Sequence, residues 1–209
     1  MPPASLPREF FARDVLEVAR DLLGCRFTHG GVTIRLTEVE AYSGERGDPG
    51  SHAFRGRTPR TEVMFGPAGH LYVYFTYGMH YCCNVVTGTD GAASAVLLRA
   101  GEVVAGRDLA QHRRAGVRER DWARGPARLT RTLDLGREEN GLDICAPAAT
   151  ARLEAPWEPV EPASVRTGPR VGVSGPGGDG AHYPWRFWLA GESSVSPYRP
   201  GVVRRRPRR

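Results

Sequence analysis

Two acidic residues stand where a hydrophobic strand should end. From Gly31 to Tyr42, Val32, Ile34 and Leu36 alternate with other residues, which predicts a strand with one buried face. If the alternation runs on unbroken, Glu38, Glu40 and Tyr42 fall on that same face. Carboxylates at the end of a core-facing row need solvent or a cleft, because burying an unpaired charge is expensive. A complementary charge sits in Ala95-Val96-Leu97-Leu98-Arg99-Ala100, where Arg99 interrupts an apolar strand and requires an acceptor. An ordinary buried ion pair would satisfy it. Aromatic residues are concentrated nearby in sequence: Tyr42, Tyr72, Tyr74 and Tyr77, with His52 in the intervening loop. One carboxylate and one arginine suffice to activate and orient a water, and aromatic faces can hold a planar base.

The elements that must position these residues follow from periodicity. Pro7 to Leu23 reads as an amphipathic helix stopped by Gly24. Ser43 to Pro67 is rich in Gly, Pro, Arg, Ser and Thr, a long loop around His52, and loops of such length commonly carry function. Leu71 to Thr76 and His80 to Val86 read as two strands joined at Tyr77-Gly78, placing Tyr77 at a hairpin tip. A large aromatic there is either exposed by chance or a contact for a partner. Asp108 to Arg114 predicts a short helix, and Gly125-Pro126 opens another through Leu133 with proline in its first turn. Gly168 to Val173 and Arg186 to Leu189 read as late strands flanking a glycine-rich loop, Gly175 to Gly180. That loop carries neither a Walker pattern nor GxGxxG, so no nucleotide cofactor is implied. Arg199 to Arg209 reads as a disordered Pro/Arg tail.

Composition narrows the class. The 209 residues suit one core, with 40% hydrophobic and 25% charged residues as in a folded domain. The net charge of +6 favours a polyanionic partner. All 29 basic residues are arginine, so no lysine amine exists to form a Schiff base. The remaining amine is the chain terminus, Pro2 once Met1 is removed, and nothing around it resembles a site. Cys25, Cys82, Cys83 and Cys145 lack metal-ligand spacing, and the adjacent pair would face opposite sides of a strand, so reduced thiols and no metal are expected. No apolar run approaches the roughly 20 residues of a membrane helix, and the start lacks the regions of a signal peptide; a cytoplasmic protein, nucleoid-associated if bacterial, is expected.

A set of spaced motifs resembles the alkyladenine (3-methyladenine) DNA glycosylase family. They are Thr37-Glu38-Val39-Glu40-Ala41-Tyr42, Ser51-His52, Thr58-Pro59-Arg60, Met64-Phe65, Gly69 to Tyr74, Tyr77-Gly78-Met79, Asn84-Val85 and Val96 to Ala100. The similarity runs from about Ala12 to Val195 and includes Gly125-Pro126, Asn140-Gly141 and Arg170-Val171-Gly172-Val173.

The resemblance implies a mixed α/β (α+β) fold, one domain from residue 7 to 198 with a curved antiparallel sheet and surrounding helices, between a flexible N-terminus (1–6) and the tail (199–209). It implies a monofunctional, monomeric enzyme that flips alkylated purines from double-stranded DNA and hydrolyses the N-glycosidic bond, with no cofactor and no metal. By position, Glu40 matches the general base and Arg99 the arginine that helps hold the water. Tyr42, Tyr74 and His52 match the residues sandwiching the extruded base, Asn84 the residue obstructing guanine's amino group, and Tyr77 the side chain pushed into the duplex. The residues around His52 and after Tyr77 differ from vertebrate members, and Arg113 to Arg124 and Glu154 to Ser164 diverge locally, which leaves lesion range open. The alternative is a noncatalytic binder of distorted DNA or RNA; Glu40 beside an anionic ligand favours the enzyme.

Overall fold

The computed structural model describes residues 5–44, 47–76 and 78–202. Tyr77, expected at the hairpin tip, and the arginines of 203–209 lie outside the described residues. Among the described residues the fold is mixed α/β, an open antiparallel sheet of eight strands with four helices in a single domain.

The first helical stretch is two helices rather than one, α1 (Arg8–Phe11) and α2 (Val15–Asp21). Asp14 caps α2 by accepting from the Leu16 amide at 2.8 Å, which starts a helix where periodicity alone would continue one. The break lets Phe11 bury completely while its carbonyl accepts from Gly88 N at 2.9 Å. Then follow β1 (Arg26–His29), β2 (Val32–Ser43), β3 (Leu71–Thr76), β4 (His80–Val86) and β5 (Ser94–Ala105). After α3 (Arg107–Arg113) and α4 (Pro126–Leu133) come β6 (Arg152–Glu154), β7 (Val165–Gly168) and β8 (Arg186–Leu189). The sheet order is β3-β4-β5-β2-β1-β6, with β8 pairing the second half of β2 and β7 pairing β8. The strand expected over Gly168 to Val173 ends at Gly168; from Pro169 the chain leaves the sheet and buries Arg170.

One face of the sheet carries the main core. Leu71 and Val73, Cys83 and Val85, and Val96 and Leu98 alternate inward from β3, β4 and β5 and pack with α2 and α4 residues such as Val18 and Leu129. Fully burying each large aliphatic side chain contributes ~1.5–3 kcal/mol. Alternation then delivers Tyr72, Tyr74, Cys82, Asn84, Leu97 and Arg99 to the opposite face, where they line a cleft.

The face expected for the acidic row is corrected. Leu36 pairs with Gly101 and Glu38 with Ala100, so Thr37 is an extra residue in β2; Val39 then pairs with Leu98, making Arg99 extra in β5. A bulge of one residue reverses side-chain parity. Val39 and Ala41 therefore join Leu36 in the core, and Glu38, Glu40 and Tyr42 turn away from it.

Candidate active site

Cross-strand pairing assembles the cleft. Glu40 opposes Leu97, Leu97 opposes Asn84, and Asn84 opposes Tyr72, a row across four strands on one face. Tyr74 opposes Cys82 one step along. The resulting pocket has a volume of about 250 Å³, and Glu40, Tyr42, His52, Tyr74, Asn84 and Arg99 all line it. Gly50, Met64, Thr76, Val171 to Val173 and Pro126 of α4 also contribute to its wall.

Glu40 is fully buried and held from three sides. Its Oε1 accepts from the Val171 amide at 2.7 Å and lies 3.4 Å from Arg99 Nη1, and its Oε2 accepts from the Tyr42 hydroxyl at 2.8 Å. A carboxylate has roughly four acceptor positions, so about one is left for a water. Burial first, then the Glu40 charge, hold the Tyr42 phenol well above its ordinary range, which keeps it a neutral donor.

Glu38 has a different environment. Its Oε1 accepts from Arg99 Nε at 3.0 Å, Arg186 Nε at 2.7 Å and Ser196 Oγ at 2.9 Å, and its Oε2 from the Ser196 amide at 2.7 Å. It is fully buried and its acceptor positions are filled, so it anchors Arg99. Arg99 thus leaves its Nε on Glu38 and presents Nη1 toward Glu40. Burial works against its charge, but Glu40 and Glu38 raise the guanidinium above its ordinary pKa. The two carboxylates with Arg99 and Arg186 form a buried cluster of balanced charge.

The aromatic walls sit above this floor. His52 meets the Tyr74 ring edge-on at 4.6 Å between centroids and contacts the Tyr72 hydroxyl through Nδ1 at 3.2 Å. Burial against these rings, and Arg60 next, push the imidazole down to about 4, so it is neutral near pH 7. Burial raises the Tyr74 phenol in turn. Asn84 donates Nδ2 to the Tyr72 carbonyl at 2.9 Å, which fixes its amide against the pocket wall. Cys83 enters the core while Cys82 faces the cleft, as adjacent strand residues must.

The structure thus brings together Glu40, Arg99, Tyr42, His52, Tyr74 and Asn84. Sequence reasoning missed the groups that hold them: Arg186 and Ser196 on Glu38, the Val171 amide on Glu40, and Arg170 with Asp48 behind Tyr42. Arg170-Val171 stood in a recognised motif, but reading it as a strand hid that its backbone donates into the site. Among the described residues, no group of three His, Cys, Asp or Glu side chains is placed to hold a metal ion. No helix among them is long and apolar enough to cross a membrane.

An aromatic slot with a buried carboxylate–arginine floor, set in one face of an antiparallel sheet, defines a class: basic single-domain α/β proteins with an aromatic, polar-floored pocket. The family profile described as Methylpurine-DNA glycosylase (MPG) matches residues 9–193. A Streptomyces avermitilis protein named "Putative 3-methyladenine DNA glycosylase" is 55% identical over 206 residues, covering 96% of this chain and 95% of its own. Proteins of the same name from Leifsonia xyli subsp. xyli and Methanoculleus marisnigri are 53% and 45% identical, each over 92% of this chain and over 92% and 98% of their own. The chain belongs to the methylpurine-DNA glycosylase family.

Proposed function

We propose that this protein excises alkylated purines from duplex DNA by flipping the damaged nucleotide into the cleft and hydrolysing its N-glycosidic bond. The observation that carries the reading is Glu40, a buried carboxylate on the floor of an aromatic pocket, with one acceptor position to spare and Arg99 beside it. The flipped base stacks between Tyr42 on one side and His52 with Tyr74 on the other. Glu40 takes a proton from water as its oxygen bonds to C1′, Arg99 holds that water, and the bond electrons leave with the base.

Alkylation at N3 or N7 makes the base a cationic leaving group, so departure yields a neutral purine without prior protonation. One carboxylate then suffices, unlike the paired carboxylates of ordinary glycoside hydrolysis. The pocket agrees with this: His52 is neutral near pH 7 and the Tyr42 proton is committed to Glu40, so neither serves as a strong acid. With no lysine in the sequence, the reaction stops at an abasic site. Flipping costs a few kcal/mol, least at damaged pairs, and we assign Tyr77 as the wedge that offsets it. The exposed apolar side chains of Phe75 and Met79, which flank it in sequence, fit a hairpin end that meets DNA.

Methylated duplex DNA incubated with the protein and then heated in alkali should break at modified purines. Retention of the DNA without alkali-labile sites would replace this reading with that of a noncatalytic binder.

A further inference from the structure

Among the described residues the largest side chain with no exposure is a charged one, Arg170. Its Nη1 donates to Asp48 Oδ1 at 2.8 Å and to the Gly177 carbonyl at 3.2 Å, and its Nη2 donates to Asp48 Oδ2 at 2.6 Å. Asp48 is equally buried and also accepts from the amides of Ser43 at 3.1 Å and Gly50 at 2.9 Å. The guanidinium lies over the Tyr42 ring at 4.3 Å and over Trp185 at 5.0 Å. Such pairs are often no more stabilising than apolar residues of equal volume, so stability is a weak reason for this one.

Its connections supply a better reason. The pair joins the end of β2, the 47–50 loop and the segment after β7, and these surround Glu40. Two of the three donors to Glu40 are attached to Arg170 itself: the Val171 amide is the next peptide group, and the Tyr42 ring lies on the guanidinium. The walls have no slack, because a Cβ on Gly50 would come within 2.3 Å of Arg170 Nη1, and one on Gly177 within 2.2 Å of the Gly50 amide.

We propose that Arg170 and Asp48 are positioning residues for the hydrolytic step, fixing the Val171 amide and Tyr42 hydroxyl that aim Glu40 while touching no substrate. This rests on the proposed function above. Misplacement of a reacting group by about 1 Å can slow a reaction about 100-fold.

The test compares Arg170→Lys, Asp48→Asn and the apolar pair Arg170→Met with Asp48→Leu, each with wild type, in single-turnover base release and in lesion-duplex affinity. The apolar pair removes both charges together and so avoids stranding one of them. A melting curve selects the variants that fold, and Gly50→Ala, whose Cβ displaces the guanidinium without deleting it, serves as a steric perturbation of the same pair. Folded variants should release base roughly 10–100-fold more slowly, with affinity changed less than about threefold. Release within about twofold of wild type in any folded variant lacking the pair overturns the proposal, as does a loss of affinity equal to the loss of rate. An inactive wild type would instead defeat the hydrolase reading.

Discussion

Glu40→Gln separates the chemistry from the architecture of the pocket. Glutamine is nearly isosteric and keeps one oxygen, which can accept from the Val171 amide as Oε1 does now at 2.7 Å. Its amide nitrogen then faces the Tyr42 hydroxyl, now 2.8 Å from Oε2, and that hydroxyl can rotate to accept. What is lost is the charge: two hydrogen bonds change from charged to neutral acceptors, at about 1 kcal/mol each. Arg99 retains Glu38, yet the cluster of Glu38, Arg99 and Arg186 is left with an excess positive charge. A loss of about 2–3 kcal/mol follows, or a fall in melting temperature of roughly 4–12 °C. Removing a general base slows the chemical step about 10²–10⁴-fold, equivalent to about 3–5 kcal/mol of barrier. The assay is single-turnover release from a duplex carrying one 7-methylguanine, read by alkali cleavage with enzyme in excess. Binding should be measured with an uncharged lesion analogue, because the excess positive charge will repel a cationic base whatever the catalytic role. Release within tenfold of wild type by a folded Glu40→Gln protein would refute the assignment of Glu40 as the base.

Glu38→Gln should show the opposite balance, because it leaves the Nε groups of two buried guanidiniums sharing one neutral acceptor. A loss of about 3–5 kcal/mol, or roughly 6–20 °C in melting temperature, is expected, and a shift under 3 °C would contradict the anchoring role. Asn84→Ala should raise release of guanine-type bases relative to adenine-type bases by roughly tenfold, the discrimination a pocket contact typically gives; an unchanged ratio in a lesion panel would exclude that role. Stability should fall above pH 9, because burial, with Asp21 nearby, pushes the Cys25 thiol up to about 12 from its ordinary 9.0. The folded state then keeps a proton that the unfolded chain releases, so the contribution is whole below pH 9 and shrinks as the pH climbs toward 12. Cys25→Ser should flatten the alkaline decline of the melting temperature, and an identical decline would count against it.

Most of the scaffold was legible because it obeys one period at a time. The β3–β4 strands alternate without interruption, and their pairing of Leu71 with Val85 through Thr76 with His80 follows the expected boundaries. Helix α4 begins at Pro126, as a proline with no amide to place should. The misreadings have two sources. Asp14 starts a second helix through a local cap that the apolar period does not register, and Arg170 leaves the sheet for an aspartate 122 positions away. No local pattern encodes either the Arg170–Asp48 contact or the Val171 amide that reaches Glu40.

The acidic row shows why residue identities located the site more reliably than the argument from alternation. Counting by twos from Val32 put Glu40 in a cleft for the wrong geometric reason, since unbroken parity would have placed it among Val32, Ile34 and Leu36 in the apolar core. The fold avoids that with the paired irregularities at Thr37 and Arg99. The first turns Glu38 and Glu40 away from the core while returning Val39 and Ala41 to it. The second sets Arg99 out of the ladder at the level where both carboxylates are in reach, at 3.0 and 3.4 Å. Bulges weaken a sheet locally, and here the loss is confined to the place where the backbone must re-aim three charged side chains at once. Glu38 completes the arrangement: by accepting from Arg99 Nε it leaves Nη1 of the same guanidinium facing Glu40.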